Sequence, residues 1–214
     1  MDGATNDRTA LVNADAVGSV RISKPVYVAT SMTFTNPVEF VGNGKIVGPS
    51  STVITIPGGV NAQKRLIFDG VQVSGLFEAW LEWFAADVKT FGSTMPSTVA
   101  TSRIQRAVDA VGGGVLWAGR GNWLHDGSVI NANAGASFQG AGEGATGTRF
   151  YWNGLNRSFL QRQDTGAGIR GGFWSRFSLQ PLDESTVPND TVALDVNQSN
   201  VTVDNIIISF PGRG

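Results

Sequence analysis

The sequence predicts a mostly β chain wound into a parallel β-solenoid, and three observations predict it. Between residues 31 and 73, short β-favouring runs follow one another with specific turn signals between them, and no helix fits in the interval. The 214 residues include 28 glycines and only 15% charged side chains, a composition suited to many short strands joined by tight turns. The tetrapeptide Asp-Ala-Val-Gly occurs at residues 15–18 and again at 109–112, each time closing a helix-like stretch and opening a strand-like one.

The first copy ends a short, weak helix running from Thr9 through Leu11 and Ala14 to Gly18, and strands at 20–22 and 26–28 follow it. Further strands are expected at 31–35, 38–41, 45–47, 52–56, 65–68 and 71–73. Asn36-Pro37, Gly42-Asn43-Gly44, Gly48-Pro49, Pro57-Gly58-Gly59 and Asp69-Gly70 separate them. A sandwich would show hairpin turns and clean alternation, whereas these strands are very short and their turns unevenly spaced. Stacked coils with a continuous inward apolar column fit better.

An aromatic segment at 76–86 and a polar stretch at 89–102 place a unit boundary near residue 85. Two units are therefore expected, 1–85 as a small amino-terminal solenoid and 86–214 as a helix with the first coils of a larger one. The second helix is the clearer: Ile104, Ala107, Val108 and Val111 fall on one apolar face, Ser102 and Gln105 make a capping box, and Gly112-Gly113-Gly114 ends it. Strands then follow at 115–117, 123–124, 136–139, 148–152, 158–161, 172–179, 192–196, 201–203 and 206–210. Phe138 and Leu160 stand 22 residues apart, about one coil.

A formal net charge of −1 excludes a strong general pull on nucleic acid or anionic membrane. An anionic partner would need a local patch, for which Arg157, Arg162, Arg170 and Arg176 form the loose cluster visible in sequence. No stretch reaches the roughly 18 apolar residues of a membrane span, and the amino terminus carries no hydrophobic segment, so a soluble protein without a secretory leader is expected. The absence of cysteine removes disulfides and thiolate metal sites without fixing a compartment.

Several segments, in order, resemble bacteriophage tailspike proteins with a pectate-lyase-like right-handed β-helix. Residues 2–11 with Gly18 and Val26-Tyr27-Val28 resemble the opening motif; Glu82-Trp83-Phe84-Ala85-Ala86 resembles the Glu-Trp-Phe-Gly-Ala that precedes the main helix. Ile104-Gln105 with Ala107 and residues 112–115 resemble the capping segment, residues 138–146 the Leu-x-Gly-x-Gly turn of the first full coil, and residues 200–206 a later coil. Ala85 replaces the usual glycine, and the usual aspartate before the second helix is missing. The resemblance implies a virion protein, usually a homotrimer, whose amino-terminal unit, residues 1–85, attaches to phage tail or baseplate proteins and whose β-helix binds, and often cleaves, bacterial surface polysaccharide. It implies no cofactor, and the family's greater length makes this chain an expected amino-terminal part.

The residues leave the chemistry open. Gly140-Ala141-Gly142-Glu143-Gly144-Ala145 satisfies a dinucleotide-binding pattern, with Asp164 near the ribose spacing, but the strand formers at 148–152 follow it where a helix would be needed, so it reads as a turn. Glycoside hydrolysis needs two carboxylates, and Glu143, Asp164, Asp183, Glu184, Asp195 and Asp204 are the acids of the second unit. A lyase would need a cation on the uronate, for which Arg149, Arg162 or Arg170 could serve. Trp117, Trp123, Trp152 and Trp174 could stack on sugars, with Trp152 and Trp174 as the surface candidates beside Arg162 and Arg170; burial is the common fate of such rings. His125, the one histidine, is expected in a turn with Asp126 and Gly127, and no zinc spacing or serine elbow occurs. Two functions remain: a non-catalytic tailspike module, or a depolymerase acting on capsule or O-antigen.

Overall fold

The computed structural model describes residues 5–126, 128–132, 135–144, 146–152, 160–163, 172–181, 194–197 and 201–209. They wind as a right-handed parallel β-helix whose turns each visit three faces. After helix α1 (Arg8–Asp15), the first turn carries β1 (Val20–Ile22), β2 (Pro25–Tyr27) and β3 (Met32–Thr33). The second carries β4 (Val38–Phe40), β5 (Lys45–Val47) and β6 (Val53–Thr55), and the third β7 (Val60–Ala62), β8 (Phe68–Asp69) and β9 (Gln72–Ser74). Three parallel ladders, β1-β4-β7, β2-β5-β8 and β3-β6-β9, form the faces. Register repeats closely: Met32 stands opposite Ile54 and Ile46 opposite Phe68, each 22 residues apart.

The fourth turn is different. It begins with β10 (Glu78–Trp80) and continues as α2 (Glu82–Ala85), a 3-10 turn (Ala86–Val88) and α3 (Thr101–Val111). α2 packs on β8 and α3 on β9, so helices occupy the second- and third-face positions. Then come β11 (Val115–Ala118), β12 (Gly121–His125) and β13 (Ile130–Asn131), followed by β14 (Ser137–Gly140), β15 (Thr148–Trp152) and β16 (Leu160–Gln163). The seventh turn has β17 (Phe173–Pro181) and β18 (Leu194–Asn197), and β19 (Thr202–Ile208) opens the next. One strand, β17, pairs with both β14 and β15 and so spans two faces, bending at Arg176, whose φ is 62°. β19 lies alongside it and bends at Asn205, φ 50°, directly opposite Arg176.

Inward side chains form one core from Leu11 to Leu179 that passes through the fourth turn. Phe40, Phe68 and Phe84 stack with centroids 5.5 and 5.3 Å apart, and Phe138, Phe150 and Phe177 form a second cluster at 5.4 to 5.8 Å. Burying such rings, each about 1.5–3 kcal/mol, supplies the main drive for coiling. Corners bring backbone onto backbone: a Cβ on Gly70 would lie 2.1 Å from the Gly48 carbonyl oxygen, and Gly70 also holds φ +85°. Only glycine satisfies both conditions.

α1 and α3 follow the expected positions, and Ile104, Ala107, Val108 and Val111 are buried as their spacing requires, while α2 lies in the aromatic segment, for which the sequence predicts no helix. α1 closes the first turn through buried Leu11. α3 covers β9 on one side and supports β13 on the other. The capping box is overturned: the helix starts from Ala100 without a side-chain cap, because Gln105 is engaged with Asn131 instead. The interval from Phe138 to Leu160 is not a coil. Phe138 pairs with Trp174 on the first face and Leu160 with Ile130 and Leu194 on the third, since the later turns carry long corner loops. The expected strands at 201–203 and 206–210 are one bent strand, and the strand expected at 65–68 begins at Phe68. Residue 85, the expected boundary, is the last residue of α2.

Candidate functional site

The corner between the first and second faces is built from successive turns: Ser23 and Lys24, Gly42 to Gly44, Gln63 and Lys64, Leu81, Gly119 and Arg120, the loop around Glu143, then Arg176 and Asn205. Beside it, outward positions of the first face carry Trp80 and Trp117, directly opposite each other on β10 and β11. Their rings stack with centroids 5.9 Å apart and 30° between planes, and both are partly exposed. Alternation explains this: Ala79 and Leu116 between the outward residues point into the core. The Lys64 ammonium lies 3.5 Å from the Trp80 ring centroid, a cation–π contact that covers one face of the stack. Gln139, opposite Trp117 on β14, continues the outward column. A shallow cavity of about 290 Å³ lies on the earlier turns and includes Glu39, Asn61 and Gln63 in its lining.

The corner is held from beneath by Glu82, a buried carboxylate. It accepts the Lys89 ammonium at 2.6 Å and the Gly119 N–H at 3.3 Å. A Cβ on Gly119 would come 2.0 Å from Glu82 Oε1, which explains the glycine after Trp117. Trp83 donates its indole N–H to the Gln63 carbonyl at 3.1 Å and so ties the residue before Lys64 to α2. The Glu-Trp-Phe segment thus supports the aromatic pair from within.

The sequence candidates fare unevenly. Trp152 and Trp174 are not on the surface: they are 2% and 0% exposed, because even-numbered positions of β15 face the core and Trp174 stands opposite the inward Phe138 of β14. Neither can stack on a sugar, and Trp123 is buried as well. Trp117 is partly exposed, while its partner Trp80 escaped notice because pairing across 37 residues leaves no local signal. Glu143 is exposed in the corner loop, Asp195 is half-buried on the third face, and Asp204 is exposed on β19 beside the Asn205 bend. Asp164, Asp183, Glu184, Arg157 and Arg170 lie outside the described residues, and of Arg162 only its backbone position in β16 is described. Arg149 is engaged in structure: Nε donates to Asn122 Oδ1 at 3.0 Å, and the guanidinium also meets the Gly92 carbonyl.

His125 is not in a turn but ends β12, fully buried opposite Trp152. Burial pushes its pKa down to about 4, against the opposing influence of Asp126 and a backbone hydrogen bond involving Ser128. The glycine pattern that opens at Gly140 is a corner over its described residues 140–144, as expected: the Gly142 N–H bonds the Arg176 carbonyl, and β15 follows. Among the described residues no cluster of acids, histidines or cysteines is arranged to hold a metal, and no helix is long and apolar enough to cross a membrane. No protein-family model, curated protein or solved structure matches the chain.

Proposed function

We propose that this chain is the β-helical, polysaccharide-recognising part of a tailspike-type virion protein, carried as a homotrimer on the phage tail or baseplate. The stacked, partly exposed Trp80–Trp117 pair carries this reading. Two indole rings on the outside of a rigid scaffold are a costly place for apolar surface unless something covers it, and an aromatic ring suits the apolar side of a pyranose. The ordered resemblance to tailspikes and the three-faced β-helix supply the context.

Binding of the chain to purified capsule or lipopolysaccharide, measured by calorimetry, tests it. Binding lost in Trp80→Ala and Trp117→Ala, with unchanged circular dichroism, is the expected result; binding indifferent to both would refute the site. Mass measurement in solution tests the trimer, which a stable monomer would contradict.

A depolymerase is the second reading, favoured by Glu143 and Asp204, exposed acids near one corner two turns apart, whose offset along the axis alone is about 10 Å at parallel-strand spacing. That approaches the upper separation of inverting glycosidases, about 9.5 Å. Release of reducing ends, lost in Glu143→Gln, would support hydrolysis, and unsaturated-uronate absorbance would indicate elimination instead.

A further inference from the structure

We propose that the corner beside Trp80 and Trp117 binds an acidic polysaccharide with about one anionic group for every two sugar units; this rests on the polysaccharide reading above. The distribution of cations that no carboxylate or carbonyl neutralises carries it. Among the described side chains, Arg21, Lys45, Lys89 and Arg103 form ion pairs with Glu39, Asp69, Glu82 and Asp87. Arg8, Arg65, Arg106 and Arg149 donate to carbonyl or amide oxygens. Lys24, Lys64, Arg120 and Arg176 have no carboxylate or carbonyl partner, and all four are exposed on the corner between the first and second faces.

Their positions are periodic. Lys24 belongs to the first turn, Lys64 to the third, Arg120 to the fifth and Arg176 to the seventh, one cation on every second turn. At a strand spacing of about 4.8 Å, neighbouring cations are roughly 10 Å apart along the axis and the row spans about 29 Å. The two tryptophans sit inside the row, on the fourth and fifth turns. Arg176 is fixed by its bend at φ 62°, and Glu143 is the exposed acid interrupting the row on the sixth turn.

A pyranose unit is roughly one strand spacing long, so a chain lying along the corner meets a cation at every second sugar. Nucleic acid fits poorly, since a duplex carries a charge about every 1.7 Å and would face four cations with far more phosphates. The net charge of −1 makes the row a local feature rather than part of a general basic surface.

Calorimetry on the 214-residue chain would compare hyaluronan, which carries one carboxylate per disaccharide, with alginate, one per sugar, and neutral dextran. Hyaluronan is expected to bind tightest. A Lys24→Gln, Lys64→Gln, Arg120→Gln, Arg176→Asn variant should lose about tenfold or more in that affinity, with an unchanged melting curve. Asparagine tolerates the left-handed backbone at residue 176, so folding is spared. Equal affinity for hyaluronan and dextran, or indifference to the variant, would overturn the acidic assignment and leave polysaccharide binding standing. Tighter binding of alginate would overturn the spacing. No binding to any of the three would overturn the acidic assignment, while binding to capsule or lipopolysaccharide decides the polysaccharide reading separately.

Discussion

The side-chain amide of Gln105 meets the backbone of Asn131 as a neighbouring strand would, accepting its N–H at 2.8 Å and donating to its carbonyl at 3.0 Å. Helix α3 occupies the place of a strand next to β13, and this amide supplies the hydrogen bonds that a peptide group would have made. Asp109, from the second Asp-Ala-Val-Gly, accepts a further bond from Gln105 at 2.8 Å and holds the amide in orientation.

Replacing Gln105 by leucine removes both bonds and leaves the Asn131 backbone groups without them. A loss of about 1–3 kcal/mol is expected, read as a lower urea midpoint at unchanged m. An unchanged midpoint would show that solvent satisfies Asn131 equally well.

Asp15, from the first Asp-Ala-Val-Gly, performs a related task at the first turn. Its carboxylate accepts the Thr35 N–H at 2.8 Å, the Thr35 hydroxyl at 2.8 Å and the Asn36 N–H at 3.0 Å. Burial alone would raise its pKa, but these bonds prevail and hold it below the ordinary carboxylate value of 3.8. The folded value lies below the unfolded one, so its contribution is full above pH 3.8 and disappears as pH falls through the folded value. Asp15→Ala is expected to destabilise at pH 7 and to flatten the loss of thermal midpoint below pH 4; parallel profiles would remove Asp15 from the acid response.

His125 acts in a higher window. With a folded pKa of about 4 against 6.5, the unfolded chain takes up the proton first, so stability falls as pH drops from 6.5 towards 4. Across that window the loss is about 3 kcal/mol, and below it this group adds no further slope. His125→Phe should abolish most of the slope in chemical denaturation at pH 7, 6 and 5. An unaltered slope in that variant would assign it to other groups.

Two glycines separate backbone strain from steric contact. Gly59 and Gly70 both hold φ +85°, yet a Cβ on Gly59 meets nothing within 4 Å while one on Gly70 strikes the Gly48 carbonyl. Gly59→Ala should cost about 1–2 kcal/mol, the ordinary left-handed penalty, and Gly70→Ala clearly more. Equal denaturation midpoints would mean that the corner opens to admit a methyl group.

Much of this fold is legible in the sequence because its inputs are local. Turn chemistry at Gly42-Asn43-Gly44 and Asp69-Gly70 marks corners, and the apolar face of Ile104, Ala107, Val108 and Val111 marks a helix. β7, β10 and β13 are illegible for a shared reason: with few apolar residues, Val60–Ala62, Glu78–Trp80 and Ile130–Asn131 become strands through neighbours in adjacent turns. The same non-locality hides the site. Trp80 meets Trp117, and the cations of residues 24, 64, 120 and 176 fall into line, only once corner loops of unequal length are counted in turns. Trp152 and Trp174 mislead because an alternating strand does not declare which parity faces inward.

The helical fourth turn has a mechanical consequence. Each of the three ladders formed by the first nine strands stops at the third turn, and the later pairings begin at β10 on the first face, β12 on the second and β13 on the third. Across this seam the chain is joined by its apolar contacts and by scattered bonds, including Ile67 N–H to the Trp83 carbonyl and Arg106 to the Gly70 carbonyl. Elsewhere each turn is stitched to the next by regular ladder bonds. Tension along the axis would therefore part the rod at this seam first, and the two halves would yield as separate force events rather than unravel from an end.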